Sequence, residues 1–341
     1  MKYKMLLWPH ANARYQNETL KLAESELRIM LSCVAEAASI RTEAQSELPG
    51  LIIENSIPLG ADALEAIRRH SLLYALFEWR EDDSLKLVAT RTPPWLGQDL
   101  PAILKYKGKT NEMFLHLLIN VALYSSNYWR STQNLEFLDP MCGRATSLFV
   151  AANRHWNATG TDIDKGDLKE AEQFFKRYLE YHRFKHLSDR QSLTLPGKRS
   201  APVNHFVFSD TAEHFKVKDV ASLRLVNADA AQVCEAFGKS AFHIIACDLP
   251  YGVQHNAHNG KGAYSALESL LMRVMPNWRE ALKLGGTVAV SFNAQLLKQE
   301  RVRQIMEKAG LEVLKGDAYD HFSHWVEQAV TRDIAIGRRK N

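Results

Sequence analysis

Four aspartates between positions 139 and 248 of this 341-residue chain each end or follow a short predicted strand. They are Asp139 in Asp139-Pro140-Met141-Cys142-Gly143-Arg144-Ala145, Asp162 in Thr159-Gly160-Thr161-Asp162-Ile163-Asp164, Asp229 in Asn227-Ala228-Asp229-Ala230, and Asp248 in Asp248-Leu249-Pro250-Tyr251-Gly252. A carboxylate beside a glycine turn suits a ligand with an ammonium group better than one with a pyrophosphate, because the glycine lets the backbone approach while the acid supplies negative charge. Asp162 follows Asp139 by about 20 residues, the separation at which a carboxylate accepts hydrogen bonds from ribose hydroxyls. Asp229 can accept from an adenine amine. One such turn would serve as a cap or tight connection in any protein. Several on consecutive strand ends point instead to a nucleoside ligand.

Those positions require strands that end together. From Asn111 the chain reads as an apolar helix to Tyr124 with Thr110 as its N-cap, and then alternates. Leu135–Leu138, Ala158–Asp162, Leu223–Val226, His243–Cys247, Thr287–Phe292 and Leu311–Leu314 are predicted strands. Ala145–Trp156, Leu168–His182, Ala230–Phe237, Leu267–Leu284 and Arg301–Ala309 are predicted helices. Such alternation means βαβ units and a parallel sheet covered on both faces. The last strand, Gln328–Ile336, follows without an intervening helix, so the final pair is expected to be antiparallel. Residues 183–218, with 7 Lys+Arg against 3 Asp+Glu, interrupt the alternation and read as a basic insertion in loop form.

Residues 1–100 read as a smaller α/β domain. Its strands are predicted at Tyr3–Trp8, Leu51–Glu54, Leu72–Trp79 and Leu85–Thr90, its helices at Glu18–Leu31 and Ala61–His70, and it carries no catalytic motif. Pro93-Pro94 and the stretch 97–101 mark a linker, which leaves 101–341 as the second domain. The first hundred residues hold 11 Lys+Arg against 14 Asp+Glu, whereas the whole chain is +4. Any surface for a polyanion therefore belongs to the second domain.

Composition narrows the class. With 46% hydrophobic and 24% charged residues the chain is an ordinary globular protein. No run reaches the roughly 18 apolar residues of a membrane span, and no secretory signal is evident, so a cytoplasmic protein is expected. Cys33, Cys142, Cys234 and Cys247 are scattered without a C-x-x-C pair, so neither a zinc site nor a disulfide framework is expected.

Asp248-Leu249-Pro250-Tyr251 resembles the Asp/Asn-x-Pro-Tyr/Phe element of methyltransferases that act on amino nitrogens. With Leu in second place and Gly252 after it, the motif is similar to that of the Rossmann-like RNA guanine-N2 methyltransferases, including the Trm11- and Trm14-like tRNA enzymes. Asp139-Pro140-Met141-Cys142-Gly143 is similar to the family's Asp-Pro-Phe-Cys-Gly loop, and the likeness runs in order through about residues 105–337. Ala145 stands where the family commonly has a second glycine, and Leu249 where many members have Pro.

The resemblance implies a Rossmann-like class I methyltransferase domain, S-adenosylmethionine as cofactor, no metal, and RNA, most naturally tRNA, as substrate. It implies cofactor contacts from Asp139, Pro140, Cys142, Gly143, Asp162, Ile163, Asp229, Ala230 and Asp248. An exocyclic amine is a poor nucleophile, so the enzyme must accept hydrogen bonds from both its N–H groups as it pyramidalises. Asp248 would supply one acceptor and the carbonyl of Leu249 or Pro250 the other. Pro250 would stiffen the turn, and Tyr251 would stack on a flipped base, worth roughly 1–3 kcal/mol. The segment from His255 to Gly262 is a candidate cover for the base. A DNA adenine-N6 or protein-amide methyltransferase would use the same motif, and a catalytically silent nucleic-acid-binding relative would keep the fold. Oligomeric state is not legible.

Overall fold

The computed structural model describes residues 1–9, 13–34, 38–43, 49–195, 199–250 and 260–340. The chain divides into two compact units, one of Met1–Thr92 with Leu314–Asp333, the other of Pro93–Val313 with Ile334–Asn341.

The first unit is built on β1 (Lys2–Leu7), α1 (Ala13–Cys33), β2 (Ser39–Glu43), β3 (Gly50–Glu54), α2 (Ala61–Arg68), β4 (Leu73–Trp79) and β5 (Leu85–Thr90). The five strands form an antiparallel sheet in the order β2-β3-β1-β4-β5. Strand β2 goes beyond the strands predicted. Leu20, Ala23, Leu27 and Leu31 of α1 share a core with Met5, Leu51, Ile53 and Leu76 of the sheet. Their spacing of three and four puts them on one helical face. The segment 314–333 joins this unit because a short 3-10 turn at Asp317–Tyr319 packs on α1.

The second unit contains α3 (Leu100–Ile103), α4 (Glu112–Tyr124), β6 (Glu136–Asp139), α5 (Thr146–Ala152), β7 (Asn157–Asp162), α6 (Lys165–Tyr181), β8 (Lys185–Leu195), β9 (Arg199–Ser209), α7 (Ala212–Lys216), β10 (Ala221–Asn227), α8 (Val233–Phe237), β11 (Phe242–Asp248), α9 (Gly260–Ala281), β12 (Leu282–Asn293), α10 (Gln299–Lys308) and β13 (Glu312–Val313). The hairpin β14 (His324–Glu327) and β15 (Val330–Arg338) follows, and β15 runs on into this unit's sheet. The sheet order is β13-β15-β12-β11-β6-β7-β10-β9-β8. Strands β12, β11, β6, β7 and β10 are mutually parallel, and β13 pairs β15 antiparallel. This is the Rossmann-like class I arrangement that the strand–helix alternation predicts.

The basic insertion is not a loop. Residues 185–195 and 199–209 are the paired strands β8 and β9, which add two antiparallel strands beside β10. Leu195, Ala201 and Val203 of this pair pack with Val226 and Ala236, so one face is partly anchored.

Helix α4 is almost wholly apolar and buried, from Phe114 to Tyr124 except for His116. Its cap is Asn111, whose side chain accepts from the N–H groups of Met113 and Phe114. Thr110, expected as the cap, is one residue too early for that role, and its side chain is used elsewhere.

Candidate active site

Successive parallel strands leave β6 in opposite directions: β7 and β10 lie on one side, β11 and β12 on the other. Open α/β sheets place their ligand crevice at such a reversal, beyond the carboxyl ends of the strands. Asp139 ends β6 and Asp248 ends β11, the two strands that flank the reversal, and Asp162 ends the adjacent β7.

Asp139 is buried, with 4% of its surface exposed. Its Oδ1 accepts from the Met141 N–H at 3.0 Å and its Oδ2 from the Ser147 hydroxyl. The carboxylate thus holds the loop to the first turn of α5. Burial raises its pKa to about 7, against the lowering effect of these two bonds, and the neighbouring Asp162 and Asp248 push it the same way. Three carboxyl groups thus meet in the crevice, and the buried one keeps its proton to near neutral pH.

The loops after β6 and β7 are tied to one another. The Asp162 carboxylate accepts from the Gly143 N–H at 2.8 Å and from the Asp164 N–H at 2.9 Å, and burial raises its pKa. Cys142 N–H donates to the Thr161 carbonyl at 3.0 Å, and the Thr161 hydroxyl to the Pro140 carbonyl at 2.8 Å. Cys142 is buried, and burial pushes its thiol pKa up, as it does that of Cys247. Both are packing residues. Ile163 differs from its neighbours: it is 76% exposed next to the Asp162 carboxylate, a bare apolar surface at the crevice.

Ala145 has φ 68° and ψ 23°, the left-handed conformation, immediately before α5. A glycine suits that geometry because it lacks the Cβ that crowds the following carbonyl. The chain forms this turn with an alanine.

Asp229, beyond the end of β10, is held by its own neighbours. Its carboxylate accepts from the Ala231 N–H at 2.9 Å and pairs with Arg273 at 2.9 Å. Burial alone would raise its pKa, but the Arg273 and Ala231 bonds outweigh that and hold it below the usual range. The Ala230 carbonyl accepts from the indole of buried Trp278 at 2.8 Å.

Asp248 is clamped from two sides. Its Oδ1 accepts from the Ser291 hydroxyl at 2.6 Å and its Oδ2 from the Thr110 hydroxyl. Ser291 is the register partner of Asp248 on β12, and the Leu249 N–H donates to the Ser291 carbonyl at 2.9 Å. Leu249 is buried and Pro250 exposed, while Tyr251 and the segment 251–259, which holds most of the candidate cover, lie outside the described residues.

The segment between α3 and α4 is fixed to this crevice as well. The Tyr106 hydroxyl lies 3.1 Å from that of Thr146, and its ring lies 4.8 Å from the Arg144 guanidinium. Arg144 in turn pairs with Asp167 at 2.8 Å and Glu170 at 2.5 Å. Thr110, Ser291, Tyr106 and Ser147 are site residues that the motifs did not reveal. Only the cross-strand register brings Ser291 to Asp248, and register is not written in a local pattern.

Among the described residues no group of three or more His, Cys, Asp or Glu is disposed to hold a metal ion, and no helix is long and apolar enough to cross a membrane.

No sequence family and no curated protein matches the chain. Similar solved structures include TrmN from Thermus thermophilus, 12% identical over 99% of both chains with a TM-score of 0.46. A methyltransferase from Pyrococcus furiosus is 15% identical over 70% of this chain and 89% of its own, with a TM-score of 0.40. A TehB-like SAM-dependent methyltransferase from Corynebacterium glutamicum is 14% identical over 62% and 83%, with a TM-score of 0.36. At such values chemistry is read from residues, not from likeness.

Proposed function

We propose that this chain transfers a methyl group from S-adenosylmethionine to a base nitrogen of RNA, with guanine N2 in tRNA as the acceptor. The observation that carries the reading is Asp248, fixed by Thr110 and Ser291 at the strand reversal, beside the loops that hold Asp139 and Asp162.

The crevice fits a cationic nucleoside. Three neighbouring carboxylates, one of them buried, repel one another and gain from a positive ligand. Asp162 would accept from ribose hydroxyls, with Gly143 and Asp164 N–H groups keeping its carboxylate in position, and exposed Ile163 would lie against the adenine. Pro140 and Cys142 shape the loop through their backbone. Asp229 and Ala230 would border the adenine, with Arg273 sharing the Asp229 carboxylate. Asp139 would act through charge and loop shape, since its own oxygens serve Met141 and Ser147.

Bound S-adenosylmethionine would supply an electrophilic methyl group on a positively charged sulfur. The protein's task is then to make the base amine nucleophilic. A carboxylate offers about four acceptor positions, so Asp248 can serve two hydroxyls and a base amine together. The carbonyl of Leu249 or Pro250 would accept the second N–H, and Asp248 would receive the released proton. Tyr251 is assigned to stacking on the base by its place in the motif.

The test is incubation with methyl-labelled S-adenosylmethionine and separate pools of tRNA, rRNA and DNA, beside an Asp248→Ala variant, followed by digestion to nucleosides. Label in N2-methylguanosine from tRNA, lost in the variant, is the expected result. Label in DNA adenine, or cofactor binding without transfer to any pool, would overturn it.

A further inference from the structure

The crevice poses an electrostatic problem for a nucleic-acid substrate. Asp139, Asp162 and Asp248 gather at the carboxyl ends of neighbouring strands, a set of acids that attracts a cation but repels phosphodiesters. A polyanion must therefore be met by cations at the rim. The segment Lys105-Tyr106-Lys107-Gly108-Lys109-Thr110 supplies them.

It is anchored at three points. Tyr106 is tied to Thr146 at the start of α5, Lys109 Nζ donates to the carbonyls of Pro101 at 2.7 Å and Ala102 at 3.1 Å, and Thr110 holds Asp248. Lys105 and Lys107, on either side of the Tyr106 anchor, are exposed, and neither has an ion-pair or hydrogen-bond partner among the described residues. Arg144, the cation nearest to Tyr106, is by contrast already neutralised by Asp167 and Glu170. Lys109 is turned inward, and burial lowers its pKa. Two unspent charges thus stand on a fixed strap within five residues of the group that holds the acceptor carboxylate.

We infer that Lys105 and Lys107 bind the phosphodiesters that flank the target nucleotide, so that this strap selects a nucleic-acid strand over a free nucleoside or a protein amide. The inference rests on the methyltransferase reading of the same crevice. Ammonium groups neutralise phosphates and release counterions, so the contacts appear in the salt dependence of binding.

The experiment measures binding of fluorescently labelled tRNA by anisotropy from low to moderate salt, for the full chain and for Lys105→Ala/Lys107→Ala. A Lys216→Ala/Lys218→Ala variant is the charge-matched control, because these exposed lysines precede the amino end of β10, away from the crevice. The strap variant is expected to bind tRNA several-fold more weakly, with the slope of log Kd against log salt reduced by about 1.4, two contacts at ~0.7 each for a single strand. S-adenosylmethionine affinity by calorimetry should be unchanged. An unchanged slope in a variant that still binds the cofactor, or an equal loss in the control, would overturn the strap while leaving the methyltransferase reading standing. Absence of tRNA binding by the unaltered protein would remove the RNA reading and the strap with it.

Discussion

Thr110 and Asp248 are separated by 138 residues of sequence, yet the Thr110 hydroxyl donates to Oδ2 of Asp248. Ser291 donates to the other oxygen from the neighbouring strand. The carboxylate is therefore oriented jointly by β12 and by the segment that leads into α4. Hydroxyl donors do this without bringing a positive charge into a crevice that, in the proposed reaction, receives one from the cofactor.

Thr110→Val keeps the shape of the side chain and removes the donor. A hydrogen bond to a charged group is worth ~1.5–3 kcal/mol. If that energy is lost from the transition state, single-turnover methyl transfer falls roughly 10- to 100-fold. Thr110→Ser should retain most of the rate. Equal rates for the Val variant and the unaltered protein would show that the bond does not orient the acceptor.

Much of this site is legible in the sequence because its parts are local. A strand of apolar residues that ends in an acid and a turn can be seen at Glu136–Asp139, Asn157–Asp162 and Phe242–Asp248 without knowing what lies beside them. What is not legible is whatever depends on neighbours. Thr110 looks like a helix cap, and the one-residue shift that makes Asn111 the cap frees Thr110 for Asp248. Strands β8 and β9 resemble a loop because β8 is exposed along most of its length and lacks the alternation of a half-buried strand. The return of 314–333 to the first unit leaves no mark either, since it rests on packing against α1.

The left-handed turn at Ala145 gives a prediction whose sign rests on magnitudes. An L-residue in this conformation costs roughly 1–2 kcal/mol. Ala145→Gly relieves that cost, but it loses a buried methyl, about 0.8 kcal/mol, and adds chain entropy of ~0.5–1 kcal/mol. The terms nearly cancel, so urea melts should place Ala145→Gly within about 1 kcal/mol of the unaltered protein. At Ala151, equally buried but inside α5, the same change has no strain to relieve and should cost roughly 1–2 kcal/mol. Equal losses at both positions would remove the strain argument.

Gly160 is fixed by packing. A Cβ there would stand 2.5 Å from Leu148 Cδ1, 2.6 Å from Cys142 Sγ and 2.9 Å from Cys142 Cβ. The neighbours belong to the loop after β6 and to α5, so relief would move the loop that Asp162 and Gly143 share. Overpacking of this kind costs ~1–3 kcal/mol. Gly160→Ala should lower the urea midpoint and weaken S-adenosylmethionine binding measured by calorimetry. Loss of stability with cofactor affinity retained would mean that the strain is absorbed by α5 instead.

Asp139 links the fold to pH, and the sign follows from its direction. Its acid is pushed from 3.8 up to about 7 in the folded chain, mainly by burial. Between those values the unfolded chain has lost this proton while the folded chain keeps it, so stability is lost as pH rises through the window and levels off above about pH 7. At roughly 1.4 kcal/mol per pKa unit, the full effect is at most roughly 4 kcal/mol. Asp139→Asn cannot titrate, so the stability of the unaltered protein minus that of the variant should fall between pH 5 and pH 8 in paired urea melts. A bound cation favours the carboxylate, so S-adenosylmethionine should bind the unaltered protein more tightly at pH 8 than at pH 5.5, and the variant with little change. A difference in melts that stays flat with pH would show that the carboxyl is already ionised in the free crevice, held by Ser147 and Met141 against its neighbours.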